Sequence, residues 1–260
     1  SNDENFNNPN DAKQTVHFSF TNEDFGADEP LSRTSAPATK TQTIDLGDCE
    51  AEICVESEPA IKTRGTLTNA NGHYTILAYQ GGTLKGEVKG TFSGGAFTAD
   101  AGVAKNFNLA PGTYDFIAFN DDVIPSGSEL TVARDKAETA RMGFATKVIT
   151  ATPQKQEVMF TMKHVGARLR TQFICQKHLP NNITSTLEAT AANVIPTNVA
   201  YDPATKTYTA TNGAMASISN NSPASTETKY YASNGGKDYA YTSTSDYHYF
   251  LPTTEGSKLR

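Results

Sequence analysis

Residues 158–175, with the sequence VMFTMKHVGARLRTQFIC, carry the alternation that decides the fold. Val158, Phe160 and Met162 share one side of an extended chain, because successive side chains of a β-strand point to opposite sides. The next residues suited to a buried face stand at odd instead of even positions. They are Val165, Ala167, Leu169, Thr171 and Phe173. A slip of one residue at positions 163–164 exchanges the buried face of a strand. We therefore predict that the chain leaves one core here and enters another, and we place a domain boundary close to this point.

Three further segments indicate a strand-rich fold. Residues 15–20 alternate between apolar and polar side chains, which is typical of a strand with one buried face. Residues 73–79 and 113–119 are apolar on both faces, and such strands usually lie in the middle of a sheet in a β-sandwich. Turn signals precede both of them, Asn71-Gly72 and Pro111-Gly112. The sequence therefore predicts an all-β protein.

One segment favours a helix instead. Residues 133–142 contain alanines at positions 133, 137 and 140, and alanine is the strongest helix former. Together with the change of buried face, these patterns predict three parts of the chain. A flexible N-terminal tether covers residues 1–14, a first β-sandwich domain with this short helix covers residues 15–156, and a second β-sandwich domain covers residues 157–260.

The composition excludes several classes of function. Hydrophobic residues make up 37% of the 260 residues and tryptophan is absent, so each core must be thin. The formal net charge is −6 and no two Lys or Arg residues are adjacent, which argues against binding of nucleic acid. No apolar stretch approaches 18 residues, so we expect no membrane-spanning helix.

The polar residues do not form a recognisable catalytic or metal-binding motif. The five histidines are His17, His73, His164, His178 and His248, and none stands at metal-ligand spacing from another. The two carboxylates of Asp121-Asp122 fall short of the six or more oxygens that calcium prefers. His164, at the change of buried face, is better interpreted as a packed or hydrogen-bonded residue than as a ligand. We predict that the protein is not an enzyme and uses no cofactor.

The cysteines and tyrosines leave alternatives open. Cys49, Cys54 and Cys175 are odd in number and imply no disulfide framework, so we interpret them as small buried residues. Tyrosines are dense between positions 230 and 250. Tyr241, Tyr247 and Tyr249 could stack against a carbohydrate ligand, although ordinary packing of a sandwich strand explains them as well.

Several segments, in their order and spacing, resemble the fimbrillin family of Bacteroidetes, which are pilin-like and anchor-like lipoproteins. The most specific is the pattern F-x-x-K-H-x-x-A-R-L at residues 160–169, followed far downstream by Y-F-L-P at residues 249–252. Weaker matches lie at residues 63–66, 74–79, 112–119 and 140–143. The resemblance extends over nearly the whole chain.

The resemblance implies a fold, a location and partners. It implies two tandem transthyretin-like β-sandwich domains and display on the outer membrane or in a fimbrium. A lipid on an N-terminal Cys, which is absent from this chain, would anchor the protein, and Ser1-Asn2-Asp3-Glu4 resembles the residues that follow such a Cys. The implied function is a fimbrial stalk, tip or anchor subunit that contributes to adhesion and joins other subunits by donor-strand exchange. The alternative is a monomeric surface lipoprotein that binds a glycan or a host protein.

The resemblance also implies processing of the chain. Fimbrillin-like pilins can be cleaved after a basic residue near the first strand, which removes that strand and leaves a groove for a neighbour's strand. Arg33 and Arg64 are the candidate cleavage sites, and Arg33 is the better placed because it lies in a proline-containing segment after the first strand. Family members usually continue through further strands, so we expect the second domain to be incomplete at Arg260.

Overall fold

The computed structural model describes residues 16–25, 41–45, 50–54, 68–151, 156–234, 237–252 and 259–260. Strands dominate these residues, which confirms the prediction of an all-β sandwich fold. In chain order they are β1 (Val16–Glu23), β2 (Thr41–Asp45), β3 (Glu50–Cys54), β4 (Thr68–Asn69), β5 (Gly72–Gln80), β6 (Thr83–Ser93), β7 (Ala96–Ala99), β8 (Gly112–Asn120), β9 (Ile124–Ser126), β10 (Glu129–Ala133), β11 (Arg141–Ile149), β12 (Gln156–His164), β13 (Ala167–Leu169), β14 (Gln172–Cys175), β15 (Ile183–Leu187), β16 (Ile195–Asp202), β17 (Thr207–Gly213), β18 (Ile218–Ser222), β19 (Thr226–Asn234), β20 (Lys237–Thr244) and β21 (His248–Phe250). No helix among these residues is long and apolar enough to cross a membrane.

The largest sheet has eight strands in the order β4-β1-β12-β11-β8-β5-β6-β7. Its pairs are antiparallel except for β1 and β12, which run parallel. The other sheets are the four-stranded β17-β16-β10-β9, the five-stranded β19-β20-β14-β3-β2, and the pairs β13-β21 and β15-β18. The eight-stranded sheet thus supplies the framework on which the two largest cores lie.

Each face of the eight-stranded sheet carries a separate hydrophobic core. The first core contains the inward side chains of β1 and β12 together with Phe116 and Ala118 of β8. The second contains Ile117 and Phe119 of the same strand, packed with residues of β10 and β16. Residues 74–78 of β5 are buried without interruption. The prediction that β5 and β8 are apolar on both faces is therefore confirmed.

The chain changes its buried face where the sequence predicts it. Phe160 and Met162 belong to the first core, whereas Val165 belongs to the second. Beyond Gly166 the chain leaves the eight-stranded sheet and β13 pairs with β21. The division into two domains at residues 156–157 stays a prediction, and strands from either side of that position pair in three of the sheets, as β1 with β12, β10 with β16 and β3 with β14.

The predicted helix over residues 133–142 is wrong. Only Arg134–Lys136 forms a single 3₁₀ turn, and β11 begins at Arg141. Ala137 and Ala140 are almost completely buried in the second core, and β11 pairs with β8 from Met142 to Ile149. Long-range pairing and burial therefore override the intrinsic helix propensity of the alanines.

Candidate functional site

The predicted cleavage sites, Arg33 and Arg64, lie outside the described residues. In the chain, Arg33 stands between β1 and β2, and Arg64 stands between β3 and β4. Cys49 also lies outside them, whereas Cys54 ends β3 and Cys175 is buried at the end of β14. The strand that precedes Arg33 in the chain is β1.

The first strand is paired unequally along its two edges. On one edge it forms a parallel ladder with β12 that runs from Val16 opposite Gln156 to Glu23 opposite Lys163. On the other edge, among the described residues, only Thr21 and Asn22 pair with a strand, the two-residue β4. The Phe20 carbonyl also accepts a hydrogen bond from the Ala70 backbone N–H, at 3.0 Å. Most of the backbone pairing of β1 therefore comes from β12.

Side chains of β1 fill the middle of the first core. Val16, Phe18 and Phe20 point inward, and Phe20 is completely buried. The Phe20 ring stacks on Tyr74, with centroids 4.4 Å apart, and on Phe160, at 5.3 Å. The Phe18 ring meets the edges of two further phenylalanine rings, Phe97 and Phe107. Without β1 this core would present an aromatic groove beside β12.

Polar contacts hold the end of β1. The Arg141 Nη1 atom donates to the Asn22 Oδ1 atom at 2.9 Å. The Glu23 carboxylate lies 3.6 Å from the Lys163 ammonium, and both side chains are more than half exposed. Asp24 Oδ1 lies 3.2 Å from His164 Nε2. Arg141 and Lys163 therefore bind the two residues that end β1, and His164 lies beside the residue that follows it.

An aromatic contact follows these polar ones. The Phe25 ring lies nearly parallel to the His164 imidazole, with centroids 3.6 Å apart and an angle of 12° between the planes. Its other neighbours are the Tyr249 ring, at 5.5 Å, and the Arg168 guanidinium, at 5.3 Å from the ring centre. We call the group formed by Arg141, His164, Arg168 and Tyr249 the His164 cluster. Its three elements, β11, β12–β13 and β21, converge on the end of β1.

Hydrogen bonds fix the tautomer of His164. The Nδ1 atom lies 2.7 Å from the Glu138 carbonyl oxygen, which can only accept, so Nδ1 carries the hydrogen. In the neutral ring, Nε2 then accepts from the Arg141 guanidinium at 3.0 Å. Burial, and next the charge of Arg141, lower the pKa of His164 below its usual value. The pKa of Asp24 is lowered chiefly by the hydrogen bond from the Phe25 backbone N–H.

The three tyrosines predicted to stack against a ligand lie in different surroundings. Tyr249 belongs to the His164 cluster, and the Tyr247 ring lies 4.0 Å from the Arg168 guanidinium and 4.6 Å from that of Arg170. Tyr241, on β20, lies beside the His178 ring, at 5.7 Å. All three are partly buried. The structure thus brings Tyr247 and Tyr249 together through Arg168 but leaves Tyr241 elsewhere, and stacking against a sugar stays a prediction.

A second histidine–aspartate group lies on β5 of the eight-stranded sheet. His73 Nε2 lies 2.8 Å from Asp100, and His73 Nδ1 lies 2.7 Å from Asp121. Both ring nitrogens face carboxylates, so a doubly protonated ring can donate a hydrogen bond to each of them. These hydrogen bonds, of which the one to Asp100 has the larger effect, raise the pKa of His73. The neighbouring Asp122 lies 3.7 Å from the Lys136 ammonium. In the described parts of the chain, no three His, Cys, Asp or Glu side chains could hold a metal ion.

Sequence reasoning identified His164 but missed Asp24, Phe25 and Arg141. Asp24 stands 140 positions from His164, and Arg141 stands 119 positions from Asn22. The one local signal is an acidic residue followed by an aromatic one immediately after the alternation of β1. That signal gains meaning only once β1 is known to lie parallel to β12.

Comparisons with known proteins give distant likenesses only. No family model and no curated protein matches the chain. A solved structure of a candidate cell adhesion protein from Bacteroides ovatus ATCC 8483 is 11% identical, with a TM-score of 0.43, over 93% of this chain and 79% of that one. A candidate cell adhesion protein from Bacteroides uniformis ATCC 8492 is 16% identical, with a TM-score of 0.41, over 71% and 70%. A candidate adhesin from Bacteroides ovatus ATCC 8483 is 9% identical, with a TM-score of 0.33, over 71% and 62%. At this distance the likenesses establish no family for the chain.

Proposed function

We propose that this protein is a fimbrial subunit that is displayed on the cell surface, contributes to adhesion and assembles by exchange of β1 for a strand of another subunit. One observation carries the proposal. The strand β1 fills an aromatic core and forms a complete parallel ladder with β12, yet among the described residues its other edge meets only the two-residue β4. Such a strand can be replaced by another chain without rebuilding the sheet around it.

The energetics favour replacement over loss of the strand. Burial of Val16, Phe18 and Phe20 contributes roughly 1.5–3 kcal/mol for each side chain. A chain that has lost β1 therefore exposes an apolar groove and one edge of β12. An incoming strand with apolar residues at alternate positions restores both the burial and the ladder. Assembly in this scheme is driven by the same contacts that stabilise the intact chain.

The position of the cut decides whether β1 can leave. A cut at Arg33 separates β1 from everything that follows it. A cut at Arg64 also separates β2 and β3, and β3 pairs with β14 in the five-stranded sheet. The longer fragment is therefore held in two sheets, and its release requires breaking both. We propose Arg33 as the processing site on these grounds.

The intact chain keeps β1 in place through its own connectivity. While residues 24–40 join β1 to the rest of the molecule, its effective concentration at the groove exceeds that of any strand from another subunit. Cleavage removes this advantage, and a neighbouring strand then competes on equal terms. Before the cut, attachment to the outer membrane through a lipid on a Cys that precedes this chain would hold neighbouring subunits close together.

The test compares two charge-neutralised variants. After limited digestion with an arginine-specific protease that leaves the chain after Arg64 intact, negative-stain microscopy and size-exclusion chromatography should show oligomers or filaments for the wild-type chain and for Arg64→Gln. Arg33→Gln should remain monomeric under the same treatment. Wild-type protein that stays monomeric after verified cleavage at Arg33 would contradict the proposal.

A further inference from the structure

We infer that the His164 cluster is a binding site for an acidic residue followed by an aromatic residue, placed at the end of whichever strand lies beside β12. In the intact chain the site holds Asp24 and Phe25. In an assembly it would hold the corresponding pair of an incoming extended segment. The inference rests on the proposed strand exchange. It adds that the groove selects a partner strand by its acidic residue followed by an aromatic residue.

The contacts along β1 itself select little. The ladder with β12 is formed by backbone atoms, which every residue except proline supplies. The inward positions of Phe18 and Phe20 lie among other aromatic rings and require only large apolar side chains. Any strand with alternate apolar residues satisfies these demands. Selection of a particular segment must therefore come from another part of the interface.

The contacts after Glu23 are specific in charge and in shape. The Asp24 carboxylate lies beside His164 and is attracted by the positive charge of Arg168, and an amide or a basic side chain would lose this attraction. Phe25 presents a flat ring to the flat imidazole at 3.6 Å, a contact that only an aromatic side chain makes. Both contacts involve side chains, so they depend on the sequence of the strand.

The cluster is also held in place by partners outside β1. The Glu138 carbonyl orients the His164 ring, and Arg141 Nη1 donates to the Met162 carbonyl at 3.3 Å. The His164 side chain is only 10% exposed, whereas that of Asp24 is 81% exposed. The receiving groups are therefore fixed by the sheet, and the pair that they receive approaches from the surface. That asymmetry distinguishes a binding site from a packed core.

The experiment uses the full chain cleaved at Arg33 and a fluorescent peptide of residues 16–25, VHFSFTNEDF. We expect the peptide with Phe25→Ala to bind about tenfold more weakly, because it loses the stacked aromatic pair with His164 and the partial burial of the ring. The peptide with Asp24→Asn should also be weaker. The matched control is Glu23→Gln, which removes only an exposed ion pair and should bind like the wild-type peptide.

A double-mutant cycle separates recognition from general damage. In the cleaved His164→Gln protein, the preference for the Phe25 peptide over the Phe25→Ala peptide should fall well below tenfold, because only the contacts with Tyr249 and Arg168 remain. A merely structural role for His164 would weaken both peptides alike and keep their ratio. An unchanged ratio, or equal binding of all peptides to the wild-type protein, would overturn the inference, as would failure of every peptide to enter the groove.

Hydrogen exchange on the uncleaved chain supplies a measurement that does not depend on assembly. Phe25→Ala should speed exchange of the β1 amides about tenfold and leave the β8 amides unchanged. If this and the peptide preference hold but the cleaved protein never assembles, the binding site stands and the proposed function fails. If assembly occurs and Phe25→Ala changes neither exchange nor binding, the function stands and the binding site fails.

Discussion

The strands β1 and β8 fill the same core but stand in the sheet in different ways. Phe20 of β1 and Phe116 of β8 are both fully buried among the aromatic rings of the first core. However, β8 is paired along residues 112–119 with β11 and along residues 115–120 with β5. For β1 the second edge, within the described residues, meets β4 at residues 21–22 only. Phe20 and Phe116 are therefore equally buried, although β8 is paired along both of its edges and β1 mainly along one.

The outer faces of the two strands differ as well. Ile117 and Phe119 of β8 are buried in the second core. On β1, His17 is exposed and Ser19 is partly exposed. The comparison shows that a strand can matter for the core and still be replaceable, because replaceability depends on its edges and its outer face rather than on its inward side chains.

The largest expected effect comes from a charge on the outer face. Ile117→Asp places a carboxylate without a partner in the second core and should lower the free energy of unfolding by more than about 3 kcal/mol. Ser19→Asp, the matched change on β1, should cost less than about 0.5 kcal/mol. Urea unfolding followed by circular dichroism measures both. Similar losses for the two variants would mean that the outer faces are equally covered.

Truncation of the inward rings should affect the two strands alike in the intact chain. Phe20→Ala and Phe116→Ala should each lower the free energy of unfolding by about 3–5 kcal/mol, because both leave a cavity in a packed core. After cleavage at Arg33 the two variants should differ in stability, because Phe20→Ala then weakens only the binding of the cleaved β1 to the rest of the molecule. A thermal melt of the cleaved proteins tests this. If Phe20→Ala remains as costly to the body of the molecule as Phe116→Ala, β1 is not a separable part of it.

The histidines near the ends of these strands should respond to pH in opposite directions. His73, held by Asp100 and by Asp121 just after β8, has a raised pKa. Its contribution is complete below the ordinary value of 6.5 and is lost as the pH rises through the higher folded value. His164, beside the end of β1, has a lowered pKa, so its contribution is complete above 6.5 and is lost as the pH falls through the lower folded value.

The contribution of His73 to the free energy of unfolding should be below about 1 kcal/mol, because its side chain is partly exposed. The contribution of His164 should be somewhat larger, because its side chain is mostly buried. Stability measured from pH 5 to pH 8 for wild type, His73→Asn and His164→Asn tests the signs. The His73→Asn difference should shrink at high pH. A His73→Asn difference that grows with rising pH would contradict the assignment of a charged ring.

Local alternation predicted much of the fold. Residues 16–20, 73–79 and 113–119 lie in β1, β5 and β8 with the expected buried faces, and the change of face at residues 163–164 is present. These features depend on residues that are close together in the chain, so they can be predicted from a short segment of sequence. The prediction of a helix at residues 133–142 was wrong, because its alanines are buried by strands that are far away in the chain.

The candidate site could be predicted only in part, for the same reason. The parallel pairing of β1 with β12 joins residues about 140 positions apart and leaves no local pattern. The His164 cluster depends on that pairing, so its partners in β1 could not be named from the sequence. The opposite pKa shifts of His73 and His164 likewise follow from which charges the fold brings near each ring.

A reversible lock on β1 tests the central claim most directly. Ser19 and Met159 lie opposite each other in the parallel ladder and point away from the first core, so the double variant Ser19→Cys, Met159→Cys should form a disulfide between β1 and β12. Analytical ultracentrifugation of the protein cleaved at Arg33 should show monomers when the variant is oxidised and assembly after reduction, with Ser19→Cys alone assembling in both states. Equal assembly of the oxidised and reduced double variant would contradict the exchange of β1.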